Sequence, residues 1–243
     1  MSEMSSSAKA RALAVEAQID VDTDILEGGL HGIEETIVNP LREGMFQAVT
    51  ANPCAMIIFG VSGDLTSRKL MPALYDLAMN SRLAEGFAIV GVSRRQWTDE
   101  QFRAEMRTAV ETHSNLQVTD ERWNSFAKGL FYVGGNFDEA AMYDRLKARL
   151  GELAHERRTE GNRLFYLATP PSFYTTIIRS LGSHDLVERQ DFYSAPRTGW
   201  SRIVIEKPIG HDLQSARELN HAISEVVSEG QVYRIDHYLG KET

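Results

Sequence analysis

Apolar residues in this chain alternate between short unbroken runs and longer stretches with helical spacing. The clearest case is segment 56–70, where a short apolar run ends at Gly60 and leucines at helical spacing follow Gly63. A short apolar run bounded by glycine is typical of a buried strand. We therefore predict a strand, a tight glycine turn and the start of a helix, in that order.

The same alternation continues to the end of the chain. Further strands are predicted at 87–92, 130–133, 163–168 and 202–205. Helices are predicted at 98–113 with a capping box from Thr98 to Gln101, after Asp138, after Pro170-Pro171, and from Asp212 to about Ser228. This order predicts an α/β fold: a Rossmann-like, doubly wound, mostly parallel sheet with helices on both faces.

Composition places few limits on function. The 243 residues are 42% hydrophobic and 25% charged, and the net charge of -8 argues against a general nucleic-acid binder. No apolar run reaches membrane-spanning length, so we expect no membrane association. The single cysteine, Cys54, is predicted to be a buried core thiol, consistent with a cytoplasmic protein. We predict no metal ion.

The glycine turn has the chemistry of a phosphate site. A strand that leads into a helix through glycines aims free backbone N–H groups and the positive end of a helix dipole at one point. Asp64 fits better as a cap or first-turn acid than as a phosphate ligand. Because Ser62 and Leu65 occupy the second and third glycine positions of the usual dinucleotide fingerprint, a turn that needs glycine only for its dihedral angles is the alternative.

The second strand ends in Ser93-Arg94-Arg95, where dinucleotide folds usually carry an acid that binds the ribose hydroxyls. A guanidinium group suits a 2′-phosphate because it offers paired donors and a permanent charge. The cofactor predicted from these residues is therefore NADP rather than NAD. A solvated surface arginine pair is the alternative.

The stretch from Tyr233 to Glu242 combines an acid, an imidazole, a phenol and an ammonium group. If a helix begins near Asp236, then His237 and Lys241 lie four residues apart on one face and can clamp a phosphate monoester. Asp236 would then be free to orient a second imidazole. An exposed, charged helix start is the alternative.

Three motifs together resemble the glucose-6-phosphate dehydrogenase family. They are Gly60-x-x-Gly63-Asp64-Leu65, Glu206-Lys207-Pro208-Ile209-Gly210, and the stretch from Arg234 to Glu242, of which the last is the most specific. Their order and spacing also fit, with Phe165 to Ala168 and then Pro170-Pro171 between the first two. The resemblance covers about residues 53–243.

This resemblance implies oxidation of β-D-glucose 6-phosphate at C1 to 6-phosphoglucono-lactone, with hydride transfer to NADP+, the entry step of the pentose phosphate pathway. It implies a homo-oligomeric parent enzyme. The implied cofactor-binding residues are Gly60, Val61, Ser62, Gly63, Asp64, Leu65, Thr66, Ser67, Arg94, Tyr166 and Lys207. The implied substrate-binding residues are Lys69, Lys207, His237, Tyr238 and Lys241. The implied catalytic residues are Lys207 and Asp236, and it is Asp236 that would pair with the family's catalytic histidine.

That histidine lies downstream of Lys241 in the family, and none of the histidines in this chain substitutes for it convincingly. The resemblance therefore divides the chain into a flexible extension (1–52), an NADP-binding Rossmann domain (53–235) and the start of a truncated substrate domain (236–243). The family's second, antiparallel α+β domain is missing, so we expect this fragment to bind NADP with little turnover. The alternatives are another NADP-linked sugar oxidoreductase, such as the glucose-fructose oxidoreductase group, and a non-catalytic NADP-binding module.

Overall fold

Strands and helices alternate along the whole described part of the chain. The computed structural model describes residues 52–190, 199–210 and 212–235. The strands are β1 (Ala55–Phe59), β2 (Ala88–Ser93), β3 (Leu130–Gly134), β4 (Arg163–Leu167), β5 (Ser201–Glu206) and β6 (Val232–Ile235). The helices are α1 (Met71–Met79), α2 (Asp99–His113), α3 (Asp120–Ala127), α4 (Ala140–Glu156), α5 (Tyr174–Ser183) and α6 (Leu213–Val226).

The six strands form one sheet in the order β3-β2-β1-β4-β5-β6, and every neighbouring pair is parallel. The predicted doubly wound Rossmann-like sheet is thus confirmed, and its described strands are entirely rather than mostly parallel. The winding direction reverses between β1 and β4. Folds of this order bind ligands at that reversal, beyond the carboxyl ends of the strands.

Each face of the sheet carries its own hydrophobic core. Helices α1, α2 and α3 pack on one face with Met56 and Ile58 of β1, and α4, α5 and α6 pack on the other with Ile57 and Phe59. Alternate residues of a strand point to opposite faces, so a central strand covered on both sides must be apolar throughout. All five residues of β1 are buried, which explains the unbroken apolar run in the sequence.

The predicted helix starts agree with the structure in most places. Thr98 and Gln101 form the reciprocal capping box, and the Asp212 side chain caps α6 by accepting a hydrogen bond from the Ser215 N–H. Helix α4 begins at Ala140, and its N-cap is Glu139, whose side chain makes no capping hydrogen bond. Helix α3 and strand β6 were not among the predicted elements.

Side chains close the outer edge of β3, which would otherwise offer free backbone groups for pairing. The Leu130 carbonyl accepts two hydrogen bonds from Arg103, the Asp99 carboxylate accepts one from the Tyr132 N–H, and the Gly134 carbonyl accepts one from Arg145.

Among the described helices, none is both long enough and apolar enough to cross a membrane.

Candidate functional site

The glycine turn joins β1 to the helical segment that leads into α1. It is anchored to two neighbouring strands. Gly60 has a φ of +83°, and its N–H donates to the Val92 carbonyl at 2.8 Å. A Cβ atom at Gly60 would lie 2.3 Å from the Ala168 carbonyl oxygen of the β4 end. Only glycine fits at such a position, so the predicted tight turn is confirmed and lies at the winding reversal between β1 and β4.

Helical backbone begins at Asp64, and a π-helical turn spans Thr66–Leu70 before α1. The exposed Asp64 carboxylate pairs with Arg68 at 3.5 Å, and its carbonyl accepts a hydrogen bond from the Ser67 hydroxyl. Asp64 is therefore a first-turn acid, as the sequence predicts. The first N–H groups of a helix have no partner within it, so they remain available to a ligand at this turn.

Two buried hydroxyl groups near this junction make no hydrogen bond within the described chain. They belong to Thr66, which is fully buried, and Thr169, which follows β4. Unpartnered buried polar atoms are rare in folded proteins, and π-helical turns are frequent at functional sites. Together with the glycine turn and the free helix start, these donors fit a bound phosphate-bearing nucleotide at this edge.

The turn after β2 brings two arginines to the same edge. Arg94 is exposed and makes no ion pair within the described residues, whereas the Arg95 guanidinium lies over the Trp97 ring, 5.1 Å from its centroid. The structure therefore gives the two arginines different surroundings. Arg94 makes no such ring contact among the described residues, so its guanidinium is the less constrained of the two toward an anionic ligand.

Two tyrosines donate hydrogen bonds to Glu206, the last residue of β5. The Tyr166 hydroxyl donates to the Glu206 carboxylate at 2.5 Å, and the Tyr174 hydroxyl donates to the Glu206 carbonyl at 3.2 Å. Burial raises the pKa of the Tyr166 phenol, and the adjacent Glu206 carboxylate raises it further. Tyr166 thus stays protonated and donates a hydrogen bond to Glu206, a residue for which the sequence predicts no role.

Lys207 and Lys69 are both exposed near the carboxyl ends of strands. Lys207 follows β5 directly, its backbone N–H donates to the Ile235 carbonyl at 3.2 Å, and its peptide bond to Pro208 is cis. Lys69 belongs to the π-helical turn after β1. The predicted residues Asp236, His237, Tyr238 and Lys241 lie outside the described residues.

Three of the four described histidines do not reach this edge, and the fourth, His221, is exposed on α6 and pairs with the Glu225 carboxylate at 3.1 Å. His113, His155 and His184 lie at the carboxyl ends of α2, α4 and α5. Crossover helices run antiparallel to the strands, so these positions are at the opposite, amino-terminal edge of the sheet. His184 is half-buried, and its ring is stacked on that of Tyr143.

Comparison with known proteins places the chain in a family. The family model "Glucose-6-phosphate dehydrogenase, NAD binding domain" matches residues 57–243. The glucose-6-phosphate 1-dehydrogenase of Chlamydia muridarum is 49% identical over 192 residues, which are 79% of this chain and 37% of that protein. That of Bacillus subtilis is 40% identical over 187 residues, which are 77% of this chain and 36% of that protein.

A solved structure agrees with these relatives. Glucose-6-phosphate dehydrogenase in complex with its substrate glucose-6-phosphate superimposes with a TM-score of 0.67 at 34% identity. The match covers 79% of this chain and 38% of that one, so the chain spans less than two fifths of the length of this solved protein. The family model that matches the chain describes the dinucleotide-binding domain of the family. The chain belongs to the glucose-6-phosphate dehydrogenase family, whose NAD-binding domain it contains.

Proposed function

We propose that this domain binds NADP and that it is part of a glucose-6-phosphate 1-dehydrogenase. It would oxidise β-D-glucose 6-phosphate at C1 to 6-phosphoglucono-lactone. The names of the relatives and the substrate complex of the solved neighbour support the reaction. The observation that carries the choice of NADP over NAD is Arg94, an exposed guanidinium without an ion-pair partner in the described chain, at the end of β2.

Different residues around the winding reversal would bind different parts of NADP. The backbone from Gly60 to Ser67 would hold the pyrophosphate, since the helix start within it and its first N–H groups favour negative charge. Arg94 would bind the 2′-phosphate, and Tyr166 and Lys207 would line the nicotinamide side. The bound cofactor supplies the hydride acceptor, and the chain supplies its orientation.

The sugar phosphate would be held by cationic and hydrogen-bonding side chains. We assign this role to Lys69, Lys207, His237, Tyr238 and Lys241. Asp236 would orient the catalytic histidine through a hydrogen bond to its imidazole, which sets the tautomer of a general base. Lys207, directly after β5, would contact both cofactor and sugar.

The cofactor assignment is tested by Arg94→Gln, which keeps a polar side chain and removes the charge. A hydrogen bond to a charged group contributes about 1.5–3 kcal/mol, so NADP+ affinity should fall by about 10- to 100-fold. NAD+ affinity should change less than about twofold, because NAD+ carries no 2′-phosphate. Dissociation constants of both dinucleotides are measured by isothermal titration calorimetry.

The control is Arg82→Gln, another exposed arginine in the described chain, which follows the carboxyl end of α1 at the opposite edge of the sheet. It should leave both affinities unchanged. Equal losses of NADP+ and NAD+ affinity in Arg94→Gln would show that Arg94 does not bind the 2′-phosphate. Loss in the Arg82 control would show a general charge effect instead.

A further inference from the structure

The turn that carries Arg94 contains no regular secondary structure of its own. Residues 94–98 lie between the end of β2 and the start of α2, and Arg94 and Arg95 are both exposed. A loop without a backbone ladder needs other contacts to hold one conformation. If Arg94 reads a 2′-phosphate, the backbone on both sides of it must be held in place before the ligand arrives.

Tyr132 of the neighbouring strand β3 supplies those contacts. Its hydroxyl donates to the Arg95 carbonyl at 2.7 Å, and it lies 2.7 Å from the Ser93 hydroxyl. The Arg95 N–H in turn donates to the Ser93 hydroxyl oxygen at 3.3 Å. The bonds close a ring in which the Arg95 N–H donates to Ser93, the Ser93 O–H to Tyr132, and the Tyr132 O–H to the Arg95 carbonyl.

This ring engages both backbone polar groups of Arg95 and the side chain of Ser93. Arg94 is the residue between them, so the direction in which its side chain leaves the turn is set from both sides. Ser93 itself is buried, and its carbonyl accepts a further hydrogen bond from the Gly135 N–H at 3.0 Å. The ring is therefore attached to two strands of the sheet rather than to another loop.

Tyr132 is held as firmly as the turn it supports. Its N–H donates to the Asp99 carboxylate at 2.7 Å, and its ring packs against Phe102 and Trp97 at centroid distances of 5.4 and 5.5 Å. Burial raises the pKa of the phenol, which keeps its proton available for the Arg95 carbonyl. These contacts fix the phenol oxygen on the sheet side of the turn.

Close packing beside the turn shows how tightly it lies on β3. A Cβ atom at Gly134 would lie 2.8 Å from the Arg95 carbonyl oxygen, which is shorter than an ordinary contact. Gly134 pairs with Ser93 in the register of β2 and β3. The absence of a side chain at this position lets the Arg95 carbonyl approach the Tyr132 hydroxyl.

We propose that Tyr132 is a positioning residue for dinucleotide selectivity, which orients Arg94 toward the 2′-phosphate through the Ser93–Tyr132–Arg95 hydrogen-bond ring. The proposal rests on the proposed binding of the 2′-phosphate by Arg94. Tyr132 contacts no ligand in this arrangement and acts only through the turn. Removal of the Tyr132 hydroxyl should therefore lower the affinity for NADP+, which carries the 2′-phosphate, and leave the affinity for NAD+ unchanged.

The experiment compares Tyr132→Phe with Tyr143→Phe by calorimetric titration of both dinucleotides. Tyr143 is a matched control because its buried hydroxyl also donates to a carbonyl, that of Phe137 at 2.7 Å, within the core on the other face of the sheet. Loss of one positioning hydrogen bond should weaken NADP+ binding about two- to tenfold in Tyr132→Phe, with NAD+ binding unchanged. Tyr143→Phe should leave the NADP+/NAD+ ratio unchanged.

A double-mutant cycle with Arg94→Gln tests whether Tyr132 acts through Arg94. In the Arg94→Gln background, Tyr132→Phe should have no further effect on NADP+ affinity. If Tyr132→Phe does not fold, Ser93→Ala breaks the same ring from its other side and should lower the same ratio. Circular dichroism establishes that each variant is folded before its affinities are compared.

Three results would overturn the proposal, and they are distinguishable. An unchanged ratio in Tyr132→Phe and Ser93→Ala, with a lowered ratio in Arg94→Gln, would refute the positioning role and leave the proposed function standing. An unchanged ratio in Arg94→Gln would refute the 2′-phosphate assignment and the positioning role with it. Additive losses in the cycle would show that Tyr132 acts independently of Arg94.

Discussion

Substitution of Gly60 by alanine should destabilise this domain more than most single changes. With a φ of +83°, residue 60 is in the left-handed region, which costs an L-amino acid about 1–2 kcal/mol. The new Cβ would also lie 2.3 Å from the Ala168 carbonyl oxygen and 2.9 Å from the Thr169 Cγ2. Relief of such overpacking typically costs about 1–3 kcal/mol.

Relief is difficult because Ala168, directly after β4, is hydrogen-bonded to the neighbouring strand β1. The Ala168 N–H donates to the Phe59 carbonyl at 2.9 Å, so Ala168 cannot move without loss of pairing between β4 and β1. The two contributions together give a loss of about 2–5 kcal/mol in the free energy of unfolding. The glycine turn should also lose affinity for NADP+, since its backbone would no longer close against β4.

Gly151→Ala is the matched control, because the same added methyl group should have the opposite effect there. Gly151 lies within α4, and a Cβ atom at that position meets nothing within 4 Å. Alanine in place of an exposed glycine inside a helix stabilises by about 0.5–1 kcal/mol. One variant should therefore unfold at lower urea concentration than the parent chain and the other at higher.

The assay is equilibrium unfolding in urea, followed by tryptophan fluorescence and circular dichroism. The Gly60→Ala midpoint should fall by on the order of 1 M with little change in the slope of the transition. A Gly60→Ala midpoint at or above that of the parent would refute the left-handed turn packed against Ala168. A lowered midpoint for Gly151→Ala would refute the open environment of α4 at that position.

Two further predictions concern buried titratable groups. Burial raises the pKa of the Cys54 thiol from 9.0 to about 11, so the native chain should resist alkylation at pH 8 and react only when unfolded. Because the folded-state pKa is the higher one, stability should fall as pH rises from about 9 through 11, and less steeply in Cys54→Ala; equal slopes would contradict the assignment. Glu206→Gln should lower the pKa of Tyr166, since it removes the carboxylate beside the phenol, as measured by NMR of tyrosine labelled with carbon-13 at Cζ. An unchanged Tyr166 titration would show that the Glu206 charge does not reach the phenol.

Much of the fold follows from local sequence patterns. The unbroken apolar run of β1, the helical spacing after Gly63 and the capping box at Thr98 each depend on residues only a few positions apart. The strands were predicted to within one or two residues for the same reason, except β6. That strand has mostly exposed residues and presents no apolar run, so its pairing with β5 could be found only in the structure.

The candidate site divides along the same line. The location of Gly60, Arg94 and Lys207 at one edge could be predicted because each closely follows a predicted strand, and strand ends meet at one edge of a parallel sheet. Glu206 lies within a recognised motif, yet its bond to Tyr166 spans 40 residues of sequence. The unpartnered hydroxyls of Thr66 and Thr169 carry no sequence signal, since burial alone makes them unusual.

The sequence by itself determined the class of fold, the edge where a dinucleotide would bind and the basic character of the turn after β2, because each depends on short-range periodicity and residue type. Only the tertiary structure decided that the Arg95 guanidinium lies over the Trp97 ring, and that Tyr132 closes a hydrogen-bond ring beside Arg94. The register of β2 against β3 pairs Ser93 with Gly134 and so brings the Tyr132 hydroxyl to the turn. A shift of one residue would turn Tyr132 to the other face of the sheet, and no local pattern specifies that register.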